Sequence, residues 1–293
     1  MTKTVRRHVG SALFILPAMA LFLLFTYYPL VQNLLYAFTS WDGYSATKEF
    51  VGFSNFLQIF QDTTLGQSVG NTLYLAVALL VSGLALQLGS ALVVYSRVRG
   101  HKLIKIILYL PAVLSPIVLS FTWIQFLQYP GYLNQFLDLV GLGGAKAVWL
   151  SNVDTVKLVL TLIQTLQYVG YGMIFFLTGL NSVPKEIYEA AELDGARGIR
   201  KFWYVTLPLI MPSVTVTLFI SITGALNTYA IPFALTGGGP NGASTTLTMQ
   251  IYQRAFAYRQ FGYASAIGIL FFLLIAAVTG VQLYLTRRQE VEY

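Results

Sequence analysis

Six long stretches of this sequence contain no lysine, arginine, aspartate or glutamate. They are residues 9–41, 63–96, 106–137, 158–184, 202–253 and 260–286. A helix needs ~20 apolar residues to cross the ~30 Å of hydrocarbon in a bilayer, and each stretch is long enough. The strands of a membrane β-barrel alternate polar and apolar residues over ~10 positions, a pattern that these runs exclude. Charged residues make up only 10% of the chain, against about 25% in soluble domains. The sequence therefore predicts an all-α protein that crosses the membrane several times.

Six membrane-spanning helices are predicted within one transmembrane domain (1–293). Their expected positions are 11–38, 69–95, 103–127, 156–180, 206–235 and 263–285. The fifth stretch is long enough for two helices, but Pro232 and the run Thr236–Pro240 break its second half, which we interpret as a loop. The first span follows basic residues and contains Ala18-Met19-Ala20, features that a cleavable signal peptide would also show. Because its apolar run continues to Phe38, an uncleaved span is the preferred interpretation.

Lysine and arginine are distributed unevenly between the two sides that these spans define. One side carries thirteen of them: Lys3, Arg6, Arg7, Arg97, Arg99, Lys102, Lys105, Lys185, Arg197, Arg200, Lys201, Arg287 and Arg288. The other side carries five: Lys48, Lys146, Lys157, Arg254 and Arg259. Because short cytoplasmic loops are enriched in these residues, both termini and the segment 182–205 are predicted to be cytoplasmic. The net charge of +7 follows from this bias and needs no nucleic-acid partner.

No Asp, Glu, Lys or Arg lies within the predicted hydrocarbon depth of any span, and the sequence contains no recognisable catalytic motif. Proton- and ion-coupled carriers usually place charged residues within their spans, so an ion-coupled secondary carrier is the less favoured alternative. The run Gly237–Pro240 lacks the lysine and the following helix of a phosphate-binding loop. Without cysteine, a His/carboxylate cluster or a nucleophile–base pair, neither a metal site nor a membrane enzyme is predicted. Energy for uphill transport must therefore come from another subunit.

The segment between the fourth and fifth spans holds the densest group of charges in the chain. Ser182 as an N-cap, Pro184 at the first helical position and Glu186 in the first turn predict a short helix over residues 185–194. Gly195 permits the left-handed conformation that ends such a helix. A structured, charged patch on the cytoplasmic side predicts a docking site for another protein.

The same segment resembles the EAA loop of the membrane subunits of binding-protein-dependent ABC importers, in which E-A-A-x-x-D-G-A is followed by F and by L-P. The matching residues are Glu189, Ala190, Ala191, Asp194, Gly195, Ala196, Phe202, Leu207 and Pro208. In that family the loop is a coupling helix that docks into a groove of a cytoplasmic ATPase. The resemblance implies an ATPase-coupling site formed by Glu189, Ala190, Ala191, Glu192, Asp194, Gly195 and Ala196.

The resemblance also implies a type I ABC importer permease fold in a bacterial or archaeal cytoplasmic membrane. The implied partners are a second homologous permease subunit, two ATP-binding cassette subunits and an extracytoplasmic sugar-binding protein. ATP and Mg would be bound by the cassette subunits, so no cofactor is expected in this chain. Further matches resemble the carbohydrate branch of the family, and within it subunits similar to the larger membrane subunit of the maltose importer. They are Trp41–Gly43, Phe50–Phe56, Asn71-Thr72, Thr236–Pro240, Ile251-Tyr252, Ala255-Phe256 and Phe261–Ala264. An importer subunit for a non-sugar solute is the alternative.

Polar and aromatic residues on one face of the fourth and fifth spans predict a path for a neutral, polyhydroxylated solute. In the fourth span they recur at helical spacing: Gln164, Gln167, Tyr168 and Tyr171. In the fifth they are Ser221, Gly224, Asn227, Thr228 and Tyr229. Amides and phenols hydrogen-bond hydroxyl groups without the desolvation cost of charges. The alternative is helix packing, because small polar residues are common at helix contacts within membranes.

Overall fold

A computed structural model describes residues 15–290, and that range contains helices but no strand. The α-helices, in chain order, are α1 (Ile15–Tyr36), α2 (Ser54–Ile59), α3 (Thr63–Tyr95), α4 (His101–Val113), α5 (Pro116–Leu127), α6 (Tyr132–Leu139), α7 (Val153–Ser182), α8 (Lys185–Leu193), α9 (Gly198–Lys201), α10 (Leu207–Leu209), α11 (Met211–Leu226), α12 (Ala230–Thr236), α13 (Leu247–Tyr252) and α14 (Phe261–Arg287). Short π-helical turns occur at Leu23–Tyr27, Phe202–Thr206 and Gln253–Ala257, and a 3₁₀ turn at Gly143–Ala145. The all-α fold class is confirmed.

Five helical segments in residues 15–290 are long and apolar enough to cross a membrane: α1, α3, α7, α11 continued by α12, and α14. A sixth crossing requires α4 to be combined with the helical segment that follows it. The exact depth of each span in the bilayer stays a prediction. The start of the predicted first span (11–14) lies outside the described residues. So do both chain ends and the basic residues Lys3, Arg6 and Arg7.

The third span, expected as one helix over 103–127, is instead two helical segments bent by 103° relative to each other. α4 ends at Val113, and Leu114 and Ser115 have extended conformations, with ψ of 144° and 132°. The cause is Pro116, because proline has no N–H to donate to the preceding turn and disfavours a helical conformation at the residue before it. The prediction of a continuous helix is wrong, since charge-free length alone does not reveal where the backbone breaks.

The fifth span, expected over 206–235, is also interrupted. α11 ends at Leu226, the residues 227–229 form a break, and α12 begins at Ala230. By contrast, α7 is continuous, and 61% of its apolar window is buried inside the structure. The interruption in the fifth span therefore lies beside an uninterrupted, mostly buried helix.

The chain divides into two compact units. Among the described residues, the first contains 15–62 together with Ile251–Leu273, and the second contains Thr63–Gln250 and 274–290. In the first unit, the guanidinium of Arg254 pairs with the Asp62 carboxylate at 2.7 Å. In the second unit, α7 packs against α3, α4 and α11. Both candidate sites lie in this second unit.

Two buried apolar clusters surround α7. One includes Leu75, Leu160 and Ile231, and the other includes Met173 and Ile210. Within a bilayer, lipid tails are as apolar as the helices, so helix association depends on close packing. These clusters fix the position of α7, whose remaining face is available for the site described below.

Candidate functional site

A cavity of about 600 Å³ lies in the second unit between α3, α7, α11 and the break that follows α11. Its size is typical of small-molecule sites. The predicted path residues that line it are Gln164, Tyr168, Tyr171, Ser221, Gly224, Asn227, Thr228 and Tyr229. Gln167 lies off the cavity. The structure brings the two predicted helix faces together, while their role in solute binding stays a prediction.

Aliphatic and aromatic side chains and uncharged polar groups form the described walls of the cavity, and no charged side chain lines them. The rings of Tyr168 and Tyr171 are stacked, with centroids 6.3 Å apart. Tyr168 is 40% exposed and lines the cavity. Asn227 is also exposed, and its Nδ2 donates to a carbonyl one turn earlier at 2.9 Å, which leaves its Oδ1 as an acceptor. Such a wall can bind hydroxyl groups of a neutral solute.

Gln164 has a structural partner at the break between α11 and α12. It is only 1% exposed, and its Oε1 accepts a hydrogen bond from the Thr228 hydroxyl. The backbone carbonyl of Thr228 in turn accepts a hydrogen bond from the Thr246 hydroxyl at 2.8 Å. Polar groups at a break within the membrane must find such partners, because no water is available there. Gln164 therefore stabilises the break, while its expected contact with the solute stays a prediction.

Tyr171 and Gln167 stabilise the other break, between α4 and α5. In a continuous helix the N–H of residue 116 would donate to the carbonyl of Ala112, but Pro116 has no N–H. The Tyr171 hydroxyl donates to this carbonyl at 2.7 Å, and Gln167 Nε2 donates to the carbonyl of Leu114 at 3.3 Å. Side chains of α7 thus replace hydrogen bonds lost at the proline, which explains why Gln167 points away from the cavity.

The sequence analysis did not predict the contribution of α3 to this site. Gln87 lines the cavity and lies against Gly172 of α7, where a Cβ atom would overlap the Gln87 side chain. Gln87 is 6% exposed, and its Oε1 has no hydrogen-bond partner within residues 15–290. Buried polar atoms are normally paired, and this unpaired oxygen is therefore unusual. The sequence signal for Gln87 is a polar residue deep within an apolar span, and that signal would have identified it as a candidate site residue.

The predicted coupling helix is α8, Lys185–Leu193, one residue shorter than expected. The N–H of Ala196 donates to the carbonyl of Ala191 at 2.9 Å, and the N–H of Gly195 donates to the carbonyl of Glu192 at 3.1 Å. With a φ of +81° at Gly195, these bonds form a Schellman C-cap, which satisfies the last carbonyls of the helix. The left-handed conformation predicted for Gly195 is confirmed.

The start of α8 differs from the sequence interpretation. Ser182 is the last residue of α7, and its hydroxyl donates to the carbonyl of Gly179 at 2.8 Å. The N-cap of α8 is Pro184 and receives no side-chain cap hydrogen bond, so Ser182 is not the N-cap residue. Pro184 occupies the N-cap with an extended ψ of 140°, instead of the first helical position. Glu186 lies in the first turn as predicted, where its charge favours the positive end of the helix dipole.

Most of the predicted coupling residues are on the surface. The exposed ones are Glu189, Ala190, Glu192, Asp194 and Gly195, and the half-buried ones are Ala191 and Ala196. Glu192 forms an ion pair with Lys201 of α9 at 2.7 Å, and the hydrogen bond from Lys201 lowers the pKa of this carboxyl. Lys201 also lies 4.7 Å from the ring centroid of Tyr188. Glu192 therefore joins α8 to α9, while Glu189 forms no ion pair within residues 15–290 and is available to a partner.

Comparisons with known proteins give a consistent result. The family described as binding-protein-dependent transport system inner membrane component matches residues 120–291, more than half of the chain. The multiple sugar-binding transport system permease protein MsmF of Streptococcus mutans is 32% identical over 295 residues, covering 99% of each chain. The sn-glycerol-3-phosphate transport system permease protein UgpA of Yersinia pestis is 32% identical, covering 94% of each. The fold is similar to a chain of a bacterial ABC transporter that imports the acidic polysaccharide alginate, with a TM-score of 0.84, 23% identity and 98% of each chain covered.

Proposed function

This chain belongs to the family of binding-protein-dependent transport system inner membrane components, and from this membership we propose that it is a membrane subunit of a carbohydrate importer driven by ATP. The observation that carries the proposal is the uncharged cavity, walled by the Tyr168 and Tyr171 rings and the Asn227 amide. Relatives named for sugars and starch degradation products support the same solute class.

The chemistry of the cavity favours a neutral sugar over an anionic one. UgpA is named for sn-glycerol-3-phosphate and the alginate importer for an acidic polysaccharide, so relatives of this fold handle anionic solutes as well. An anion needs positively charged partners when it leaves water, and the described walls of this cavity have none. Hydroxyl groups need only the amide and phenol groups that are present. We therefore assign neutral oligosaccharides as the solute class.

Transport would require partner subunits that are outside this chain. A second, similar permease subunit would complete the cavity, and an extracytoplasmic binding protein would deliver the sugar. Two ATPase subunits, which bind ATP and Mg, would dock on the coupling helices of the two permeases. Closure of the ATPases would move α8, and with it α7, so that the cavity alternates between the two sides of the membrane. Family membership favours this arrangement over an ion-coupled carrier.

Uptake measurements with variants of the cavity wall test the proposal. We expect Tyr168→Phe, which removes one hydroxyl, to raise the KM for the transported sugar roughly 2- to 10-fold, since one hydrogen bond contributes about 0.5–1.5 kcal/mol. Tyr168→Ala also removes the ring and should raise the KM further. The assay is uptake by cells that lack the native gene, with a panel of neutral di- and trisaccharides and with sn-glycerol-3-phosphate as the anionic comparison.

Leu162→Ala is the matched control, because Leu162 lies on the same helix, is 55% exposed and does not line the cavity. It should leave the KM unchanged and alter at most the amount of protein in the membrane. An unchanged KM in Tyr168→Ala at normal protein level would show that this face serves helix packing. Uptake of sn-glycerol-3-phosphate in preference to every neutral sugar would contradict the assigned solute class.

A further inference from the structure

A second cavity, of about 360 Å³, lies where the ends of α3 and α7 meet the start of α4. Its polar lining is strongly basic: Arg97, His101, Lys102 and Lys105, with Asn181 of α7 beside them. Lys102 and Lys105 are three residues apart and share one face of α4. The start of α4 and the turn before it therefore bring several basic side chains to one cavity.

The positive charge of this cavity has no internal counterion. None of its lining residues is acidic, and the ion pairs found in residues 15–290 involve other cations: Lys146, Lys201 and Arg254. The start of α4 carries a partial positive charge, while the C-terminal ends of α3 and α7 carry partial negative charges, so the excess positive charge comes from the side chains. A cavity that gathers like charges without compensation is suited to an anionic ligand.

The surface next to the cavity is apolar. Ile106 lines the cavity itself and is 62% exposed, and Leu103, Ile107 and Leu110 continue an exposed apolar strip along α4. In a membrane-spanning helix such a strip faces lipid tails. The cations lie at the end of the strip that charge counting assigns to the cytoplasmic side. A ligand that matches both surfaces carries a negative head group and hydrocarbon chains.

We propose that this basic cavity binds the head group of an anionic phospholipid from the cytoplasmic leaflet. The Arg97, Lys102 and Lys105 side chains contact the phosphate, and the lipid chains pack along Ile106 and its apolar neighbours. Basic cavities between membrane helices on the cytoplasmic side are a known setting for such lipids. The site lies apart from the solute cavity and does not depend on which sugar is transported.

Lipid binding to the purified full chain tests the proposal. The chain would be prepared in a neutral detergent and titrated with phosphatidylglycerol or phosphatidylcholine, and bound lipid would be counted by native mass spectrometry. We expect one tightly held phosphatidylglycerol per chain and no comparable phosphatidylcholine. Each cation near a membrane surface contributes roughly fivefold to the affinity for anionic lipid. The single variants Lys102→Gln and Lys105→Gln should each lose about that factor, and R97Q/K102Q/K105Q should lose roughly a hundredfold.

The matched control is R99Q/R287Q/R288Q, which removes the same charge from the same predicted side but leaves the cavity intact. It should retain the bound lipid. Equal loss in both triple variants would mean that general charge attracts the lipid, and the proposal would fail. Undiminished affinity for phosphatidylglycerol in both single variants would also refute the proposal. Lys102 and Lys105 are exposed, so the single variants should fold and can decide the test if the triple variant does not. In a last measurement, millimolar inorganic phosphate is added to the lipid-bound chain. Displacement of the lipid by phosphate alone would identify a site for free phosphate and would contradict the proposal.

Discussion

Gly195 offers the sharpest test of how the coupling helix is built. Its φ of +81° is left-handed, and a Cβ atom added there would meet nothing within 4 Å. A substitution therefore changes the backbone preference at this position without creating a steric clash. Gly195→Val, Gly195→Ala and Gly195→Asn introduce three residues that differ in how readily their backbone adopts the left-handed conformation, at a position where a Cβ atom contacts no other group.

The expected cost follows from backbone sterics. A left-handed conformation costs an ordinary L-residue roughly 1–2 kcal/mol, while asparagine adopts it more readily. A β-branched residue tolerates it least. A penalty of one or two kcal/mol shifts an equilibrium about 5- to 30-fold. An isolated helix as short as α8 is not stable by itself in water, so loss of its C-cap should unwind the last turn, which carries Glu192 and the exposed end of the coupling surface.

Sugar-stimulated ATPase activity of the reconstituted importer measures the consequence. We expect coupling to fall in the order glycine, asparagine, alanine, valine, with protein level and sugar delivery unchanged. Circular dichroism cannot resolve one turn, so hydrogen exchange of residues 185–196 gives the structural readout and should follow the same order. Equal coupling in Gly195→Val and Gly195→Asn would refute the reasoning, because these variants differ in their left-handed preference.

Three other results are expected. Tyr171→Phe should lower the melting temperature of the purified protein, since it leaves a buried carbonyl of α4 unpaired at a cost of about 1–3 kcal/mol; an unchanged melting temperature would show that this hydrogen bond is not needed. A cysteine at Ala46 should react with an impermeant thiol reagent from outside intact cells and one at Ser182 should not, and the chain has no native cysteine to interfere; the reverse pattern would overturn the orientation. Because Lys201 lowers the pKa of Glu192, the stabilisation from their pair is present above pH 4.5, the ordinary value, and is lost as the pH falls through the lowered one. The protection from hydrogen exchange that this pair gives the 185–205 segment should therefore be constant between pH 5 and 8, and Glu192→Gln should reduce it throughout that range.

The helical architecture was predictable because the bilayer leaves few choices. A run without charges must form a helix, since every backbone polar group has to be paired within the segment. The same reasoning does not show whether a span is one unbroken helix. The bend at Pro116 was therefore missed, although the proline is visible in the sequence. The C-terminal end and first turn of the coupling segment were predicted well because their signals are local: Gly195 just after the helix and Glu186 in its first turn act within a few residues.

The candidate site was predicted less completely, because a cavity depends on contacts between distant parts of the chain. Helical spacing placed Tyr168 and Tyr171 on one face, but it could not separate them from Gln167, which differs by only one position. Gln167 turns away from the cavity because its Nε2 donates to the carbonyl of Leu114. This carbonyl lies at the break in the third span, about fifty residues earlier in the chain. Gln87 was missed for the same reason, since its role appears only when α3 packs against Gly172.

The two breaks beside α7 occupy several of the polar groups that were predicted to contact a solute. Irregular backbone within a membrane is tolerated where it is buried or lines a cavity, provided that its polar groups are paired. Here that pairing uses the side chains of Gln164, Gln167 and Tyr171, three of the four polar residues predicted on this face. Tyr168 is the fourth, and its hydroxyl forms no hydrogen bond within residues 15–290. The Oδ1 of Asn227 and the Oε1 of Gln87, which has no partner there, are the other polar atoms that we expect to meet the solute. We expect a wall made mostly of aromatic and aliphatic groups to bind sugars weakly and with little discrimination between them, which would suit a path that must release what it admits. Selectivity among sugars would then rest mainly with the protein that delivers them, and substitutions at Tyr168 should alter the rate of transport for all accepted sugars more than the order of preference among them.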